Sequence, residues 1–298
     1  MLVRVQDATG TDAERTLIDW LRTWKDPGSP HGVATINCNL FHKERLHHLD
    51  AVIWTPTSCV VLETDALTTE QDGLLEVPLN GQWTINGEPM ATERRGRHTP
   101  LERSREHTFA LQDWLAARGL GQRVVHGVAL ILPLRGARVQ LEQAWADPSF
   151  DVIIGSEPDP LRRYFDALAA QEKFLWTAND VAIAFRGLGI LPYLPAPQEL
   201  LNEGFLGPID ITLWHGSPNQ AQAEAYAEEL AQAERDARAS AFAIRAPWYS
   251  PWKLYPREEG NLDLGRAVLR TLLAVGMVIA FTWVVWFVIT AISTYGPG

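Results

Sequence analysis

The sequence predicts an α/β fold: a central mixed sheet flanked by helices, followed by a helical stalk and a single C-terminal transmembrane helix. Three observations predict it. Between Thr11 and Gly187, segments with apolar residues at helical spacing alternate with short runs rich in Val, Ile and Leu. From Asn219 to Ala246 the chain is rich in Ala and Glu and carries no helix breaker. From Thr271 to Ser293 it has no charged residue and is dense in Leu, Val, Ile, Phe and Trp, and about 20 apolar residues span a bilayer as a helix.

The first helix is expected over Thr11–Trp24. Thr11 supplies the cap, Glu14 the acid three residues on, and Leu17, Ile18, Leu21 and Trp24 the apolar stripe. Pro27 to Pro30 ends it. Gly32–Phe41 is a strand, and His42–His48 a polar turn. The stretch Leu49–Asp65 then reads as a hairpin around Thr55-Pro56-Thr57-Ser58, with Val52–Trp54 and Cys59–Leu62 as its strands. A second, shorter hairpin is expected where Asn80-Gly81 and Asn86-Gly87 flank Trp83 and Ile85. Ala91–Pro100 is a basic loop. A Pro-led helix runs from Pro100 to about Arg118 and stops at Gly119 and Gly121. Val124–Leu134 and Phe150–Gly155 are strands, and Asp159–Gln171 and Thr177–Gly187 are helices. The Pro-rich Leu191–Pro197 marks a boundary. It divides the chain into a domain at 1–195, a linker with the long Ala/Glu helix at 196–262, and a transmembrane helix with a short tail at 263–298. The thin, mostly Ala stripe of that long helix makes it either a solvated stalk or a surface for a protein partner.

The acids of the first hairpin stand out. Asp50 opens its first strand, and Glu63 and Asp65 close its second. Hairpin ends lie close together, so these three carboxylates are expected at one sheet edge. There they either bind a hard divalent cation such as Mg²⁺ or are simply solvated. Glu14 is either only the capping partner of Thr11 or a further member of this cluster. Arg94, Arg95, Arg97, His98, Arg103, Arg105 and His107 form the strongest basic run. It is either a phosphate-contacting patch or a solvated loop balanced by Glu93, Glu102 and Glu106.

The net charge of −10 counts against a protein that coats nucleic acid with its whole surface, though not against a local basic patch. Cys38 and Cys59 lie in apolar runs, as small buried residues of a reducing compartment do. The N-terminus carries no apolar signal segment. Arg257, Arg266 and Arg270 precede the apolar run at 271–293, and no charge follows it. The positive-inside rule therefore predicts a single-pass protein of the cell membrane with its N-terminal part in the cytoplasm.

In this order of elements (helix, strand, acid-bearing hairpin, Trp hairpin, basic loop, Pro-led helix, strand) the chain resembles the nuclease-related domain (NERD) family. That family is placed with the PD-(D/E)xK nuclease folds, also called restriction-endonuclease-like. The match rests on Glu14, on Asp50 and Glu63 at their spacing, on NGQWTINGEP (80–89), and on TPLERSREHTFALQDWL (99–115). The resemblance covers roughly residues 10 to 190. It implies catalytic roles for Glu14, Asp50 and Glu63, with Asp50, Glu63 and Asp65 as Mg²⁺ ligands, and nucleic acid bound by Arg94, Arg95, Arg97 and Arg103. The chain departs from the family where Glu-x-Lys becomes Glu63-Thr64-Asp65, where Arg103 stands for a Gln, and where Ser58 stands for a Gly. Lysines are confined to Lys25, Lys43, Lys173 and Lys253, which leaves Lys43, leading into Asp50, to replace the missing one. In such hydrolysis the metal activates water and the lysine adds positive charge beside the phosphate. The resemblance thus implies a membrane-anchored nuclease-related protein that binds or cleaves nucleic acid. The absent lysine keeps open a second function class, a catalytically inactive domain of this fold serving as a membrane-tethered interaction module.

Overall fold

In the computed structural model, residues 1–245 are described apart from 8–9, 27, 79–80, 95–97, 143–146 and 172–175. The chain divides into two units, Met1–Asp236 and Ala237–Gly298.

The first unit is built on a six-stranded mixed sheet. Its strands are β1 (Leu2–Val5), β2 (Val33–His42), β3 (Arg45–Trp54), β4 (Cys59–Ala66), β8 (Val125–Leu132) and β10 (Phe150–Ile154), in that spatial order. β2, β3 and β4 run antiparallel to their neighbours in turn, with Ala51 opposite Leu62 and Trp54 opposite Cys59. β8 lies parallel to β4, with Glu63 level with Ala129. β1 and β10 add parallel edges. The hairpin at Leu49–Asp65 is therefore present, with strands longer than the apolar runs alone suggest. Its acids are not at a sheet edge: β3 and β4 are the two middle strands of the sheet, so Asp50, Glu63 and Asp65 are buried.

α1 (Asp12–Thr23) packs on one face of this sheet. Its Leu17, Trp20, Leu21 and Trp24 meet Ala34, Ile36, Ile53 and Leu62, and α3 (Asp159–Gln171) adds Leu161 and Phe165. α2 (Pro100–Leu115) and α4 (Ala178–Gly187) cover the other face, where Trp114 and Phe185 meet Trp54, Cys59 and Val61. Sequence chemistry explains where each helix starts. Thr11, Thr99 and Thr177 each accept a hydrogen bond from the backbone N–H three residues on, and Glu14, Glu102 and Asp180 each reciprocate. α2 ends in a turn of π-helix, Ala116–Leu120, where Gly119 takes φ 82°.

A four-stranded side sheet follows β4. β5 (Gly73–Glu76), β6 (Thr84–Ile85), β7 (Glu88–Pro89) and β9 (Val139–Leu141) lie in the order β7-β6-β5-β9. The Asn86-Gly87 turn is present between β6 and β7, both residues at positive φ, and Trp83 is buried beneath it. The edge strand β1 and the short β9 carry no clear alternation in the sequence, and their pairing is set by tertiary contact.

Residues beyond the Pro-rich stretch belong to the same compact unit, which runs to Asp236, past the boundary read from sequence near 195. α5 (Pro197–Asn202), Phe205 and Trp214 join the core with Leu200, and so does Ala223 at the start of α6 (Gln220–Arg245). From Glu228 to Asp236 every side chain of α6 is exposed. Of the second unit, α6 continues to Arg245. No helix among the described residues is long and apolar enough to cross a membrane, and the apolar run at 271–293 lies outside them.

Gly127 fixes how closely α2 approaches the sheet. A Cβ there would lie 2.6 Å from both Thr108 Oγ1 on α2 and the Phe150 ring. Gly127→Val is therefore expected to lower unfolding stability by about 1–3 kcal/mol in denaturant titration, as overpacked cores do. An unchanged midpoint would mean that α2 is held some other way.

Candidate functional site

Glu14 occupies the third position of α1, and its carboxylate does two things at once. Oε2 accepts from the Thr11 N–H at 3.2 Å, completing the capping box, and Oε1 accepts from Arg94 at 2.5 Å. Both readings of Glu14 left open by the sequence therefore hold together: the residue caps its helix and joins the hairpin acids.

Arg94 joins the acids of three elements. One of its terminal nitrogens meets Glu14, and the other lies 2.7 Å from Asp50 Oδ1 and 3.7 Å from Glu63 Oε2. Asp50 Oδ2 accepts from the Thr64 N–H at 2.8 Å and from its hydroxyl at 3.2 Å. Asp50 and Glu63 are fully buried, while Arg94 remains 25% exposed. Burial first, and the neighbouring Glu63 second, push the Asp50 pKa up to about 7 against the pull of Arg94. Burial works against the Arg94 charge too, but the carboxylates around it outweigh that and raise its pKa.

α2 supplies the second layer. Arg103 reaches Asp65 Oδ2 at 3.2 Å and puts Nε 3.5 Å from Glu63 Oε2, and His107 Nδ1 lies 2.6 Å from Glu63 Oε1. Asp65 also accepts weakly from the Arg94 backbone N–H at 3.4 Å. Burial raises the Asp65 pKa, and Arg103 opposes it. The carboxylate that stands where a lysine was expected is thus matched by an arginine from the helix above it.

The structure corrects three expectations. Lys43 does not approach the acids. It sits in the turn of the β2–β3 hairpin and pairs with Asp113 at 2.7 Å, about 20 Å from Asp50 at the rise of a β-strand. Asp50, Glu63 and Asp65 do not form one three-ligand set, because Asp65 turns to Arg103 while Asp50 and Glu63 share Arg94. The turn read at His42–His48 is mostly strand, in which His47 is buried with its pKa lowered by burial and by His107. Arg95 and Arg97 lie outside the described residues. Thr64 was missed as a site residue, and His107, read from the sequence as a member of the basic run, was not placed against Glu63. The available signal was spacing: Arg103 and His107 are four apart and so share one face of α2.

Oxygen donors of this kind suit a hard divalent cation. Their arrangement does not suit one while Arg94 is in place, since its guanidinium already stands among Glu14, Asp50 and Glu63. Among the described residues no group of three His, Cys, Asp or Glu side chains is disposed to hold a metal ion. Beside the cluster opens a cleft of about 780 Å³, lined by Asp65, Trp83, Met90, Arg94, His98 and Arg103 among others.

Because the Asp50 pKa is raised from 3.8 to about 7, the folded state binds its proton more tightly than the unfolded state between those values. Stability from this group is full at low pH and is lost as pH rises toward 7, by at most about 1.4 kcal/mol per pH unit. Asp50→Asn is expected to flatten the fall in melting temperature between pH 5 and 8. An unchanged pH profile would contradict the Asp50 environment described here.

A mixed sheet with Asp50, Glu63 and Asp65 on its two middle strands, Glu14 added from α1, and two arginines at an adjoining cleft makes this an α/β domain with a charged site. Residues 9–132, from the approach to α1 to the end of β8, match the family model of the nuclease-related domain, NERD. No curated protein and no solved structure matches the chain.

Proposed function

We propose that the first unit binds nucleic acid through its phosphate backbone at the cleft beside the acid cluster, and that the apolar run at 271–293 tethers it to the cell membrane from the cytoplasmic side. The observation that carries the binding reading is the placement of Arg94 and Arg103. Both line the cleft, and both are oriented from behind by buried carboxylates. An arginine fixed in this way presents its remaining donors without further loss of side-chain freedom, and a guanidinium matches phosphate bidentately. The match to a nuclease-related domain supports the same substrate class. The tether rests on the sequence: an uncharged apolar run preceded by Arg257, Arg266 and Arg270.

A specific observation favours a second reading, the tethered interaction module. The buried acids of the cluster are met by Arg94, Arg103 and His107 rather than left open for chemistry, and the chain is acidic overall. One experiment separates the two. Labelled single- and double-stranded DNA and RNA are titrated with the full chain in detergent at several salt concentrations. Backbone binding predicts affinity that falls with salt for all sequences. In Arg103→Gln it predicts uniformly weaker binding with a salt slope smaller by about 1. Absence of salt-dependent binding to any of the four would sink the nucleic-acid reading and leave the interaction module.

A further inference from the structure

We infer that Arg94 is the resident cation of the Glu14–Asp50–Glu63 cluster, and that a divalent metal ion and the Arg94 guanidinium exclude one another there. The inference deepens the reading of the same site but needs no nucleic acid, so the two can fail separately.

The argument starts from charge. Glu14, Asp50 and Glu63 come from α1, β3 and β4 and are each buried. Carboxylates taken out of water in one place repel one another and require a cation within a few ångströms. The guanidinium supplies it, meeting Glu14 through one nitrogen and Asp50 and Glu63 through the other. A metal ion bridging Asp50 and Glu63 would lie where that second nitrogen now lies, and two cations at that separation would repel as the acids did. The cluster is also not saturated by Arg94. Asp50 Oδ1 and Glu63 Oε2 are buried, and neither accepts a hydrogen bond of good geometry. Oxygens that face a cation without a directed hydrogen bond are those a metal ion would take if the arginine withdrew.

Arg94 lies on the segment between β7 and α2, and a quarter of its side chain is exposed at the cleft.

The test is calorimetric titration of Mn²⁺ into the full chain in detergent without nucleic acid, comparing the wild type with Arg94→Met and Arg94→Lys. The lysine variant keeps the charge and so keeps the fold, but a single ammonium cannot hold acids on two sides. The expected result is no heat of binding in the wild type, and binding in both variants at least about tenfold tighter than the wild-type limit, roughly 1.4 kcal/mol in affinity. Adding Asp50→Asn to Arg94→Lys abolishes it. Mn²⁺ also raises the melting temperature of the single variants and not of the wild type. Binding of equal affinity in wild type and Arg94→Lys, or none in either, would overturn the inference.

Discussion

Arg94→Met is expected to lower the unfolding free energy by about 3–5 kcal/mol, the range seen when one partner of a buried ion pair is removed. The cause is what remains: Glu14 and Asp50 lose their ion-pair partner, and Glu63 keeps only its contacts from α2. The loss is expected to be partly reversed by Asp50→Asn in the same chain, because the amide removes a buried charge that no longer has a counter-ion. Chemical denaturation of the two variants checks this. If the double variant is less stable than Arg94→Met, the lost free energy did not come from unpaired acids. Glu14→Gln is a separate case, since the amide keeps one acceptor oxygen and can hold only one of the two donors, the Thr11 N–H and Arg94, that Glu14 now accepts from.

Trp54→Ala is expected to cost about 3–5 kcal/mol as well, through a cavity that the surrounding strands cannot close. Trp54 is fully buried on β3, and its ring centroid lies 5.5 Å from that of Phe185 on α4. Trp54→Phe separates size from chemistry. The indole N–H is buried without a hydrogen-bond partner, so a phenyl ring removes some contact area and also an unsatisfied donor, and is expected to cost under about 1.5 kcal/mol. The comparison also bears on the extent of the domain. Phe185 lies beyond the segment that matches the nuclease-related domain, yet it packs on the acid-bearing hairpin. A single cooperative transition shifted by both variants would show that α4 and the sheet unfold together; two transitions would separate them.

Local signals made most of the fold legible. A capping box marks the start of α1, a leading Pro marks that of α2, and β-branched runs around Pro56 mark the central hairpin. The elements that were not legible are those whose pairing is decided at a distance. β1 is four residues with no flanking signal, β9 is three, and the packing of α5, Phe205 and Trp214 depends on a sheet face laid down far earlier in the chain.

The site divides in the same way. Asp50 and Glu63 on neighbouring strands follow from hairpin register, and their nearness was legible. What they touch was not, because a loop arginine such as Arg94 has no periodicity to betray its direction. Asp65 shows the limit most plainly. In sequence it is a reversed charge where a lysine was expected; in the fold it is one half of an ion pair with Arg103, itself a departure from the family pattern. Lys43 failed as a substitute for a reason of length, since strand rise carries the hairpin turn away from the acids.

The most direct measurement of the central claim is a diffraction experiment on crystals grown with Mn²⁺, with data collected to locate the metal by its anomalous signal. The account predicts guanidinium density among Glu14, Asp50 and Glu63 and no anomalous peak between Asp50 and Glu63. A peak bridging those two carboxylates, with Arg94 still paired to Glu14 and Asp50, would contradict it.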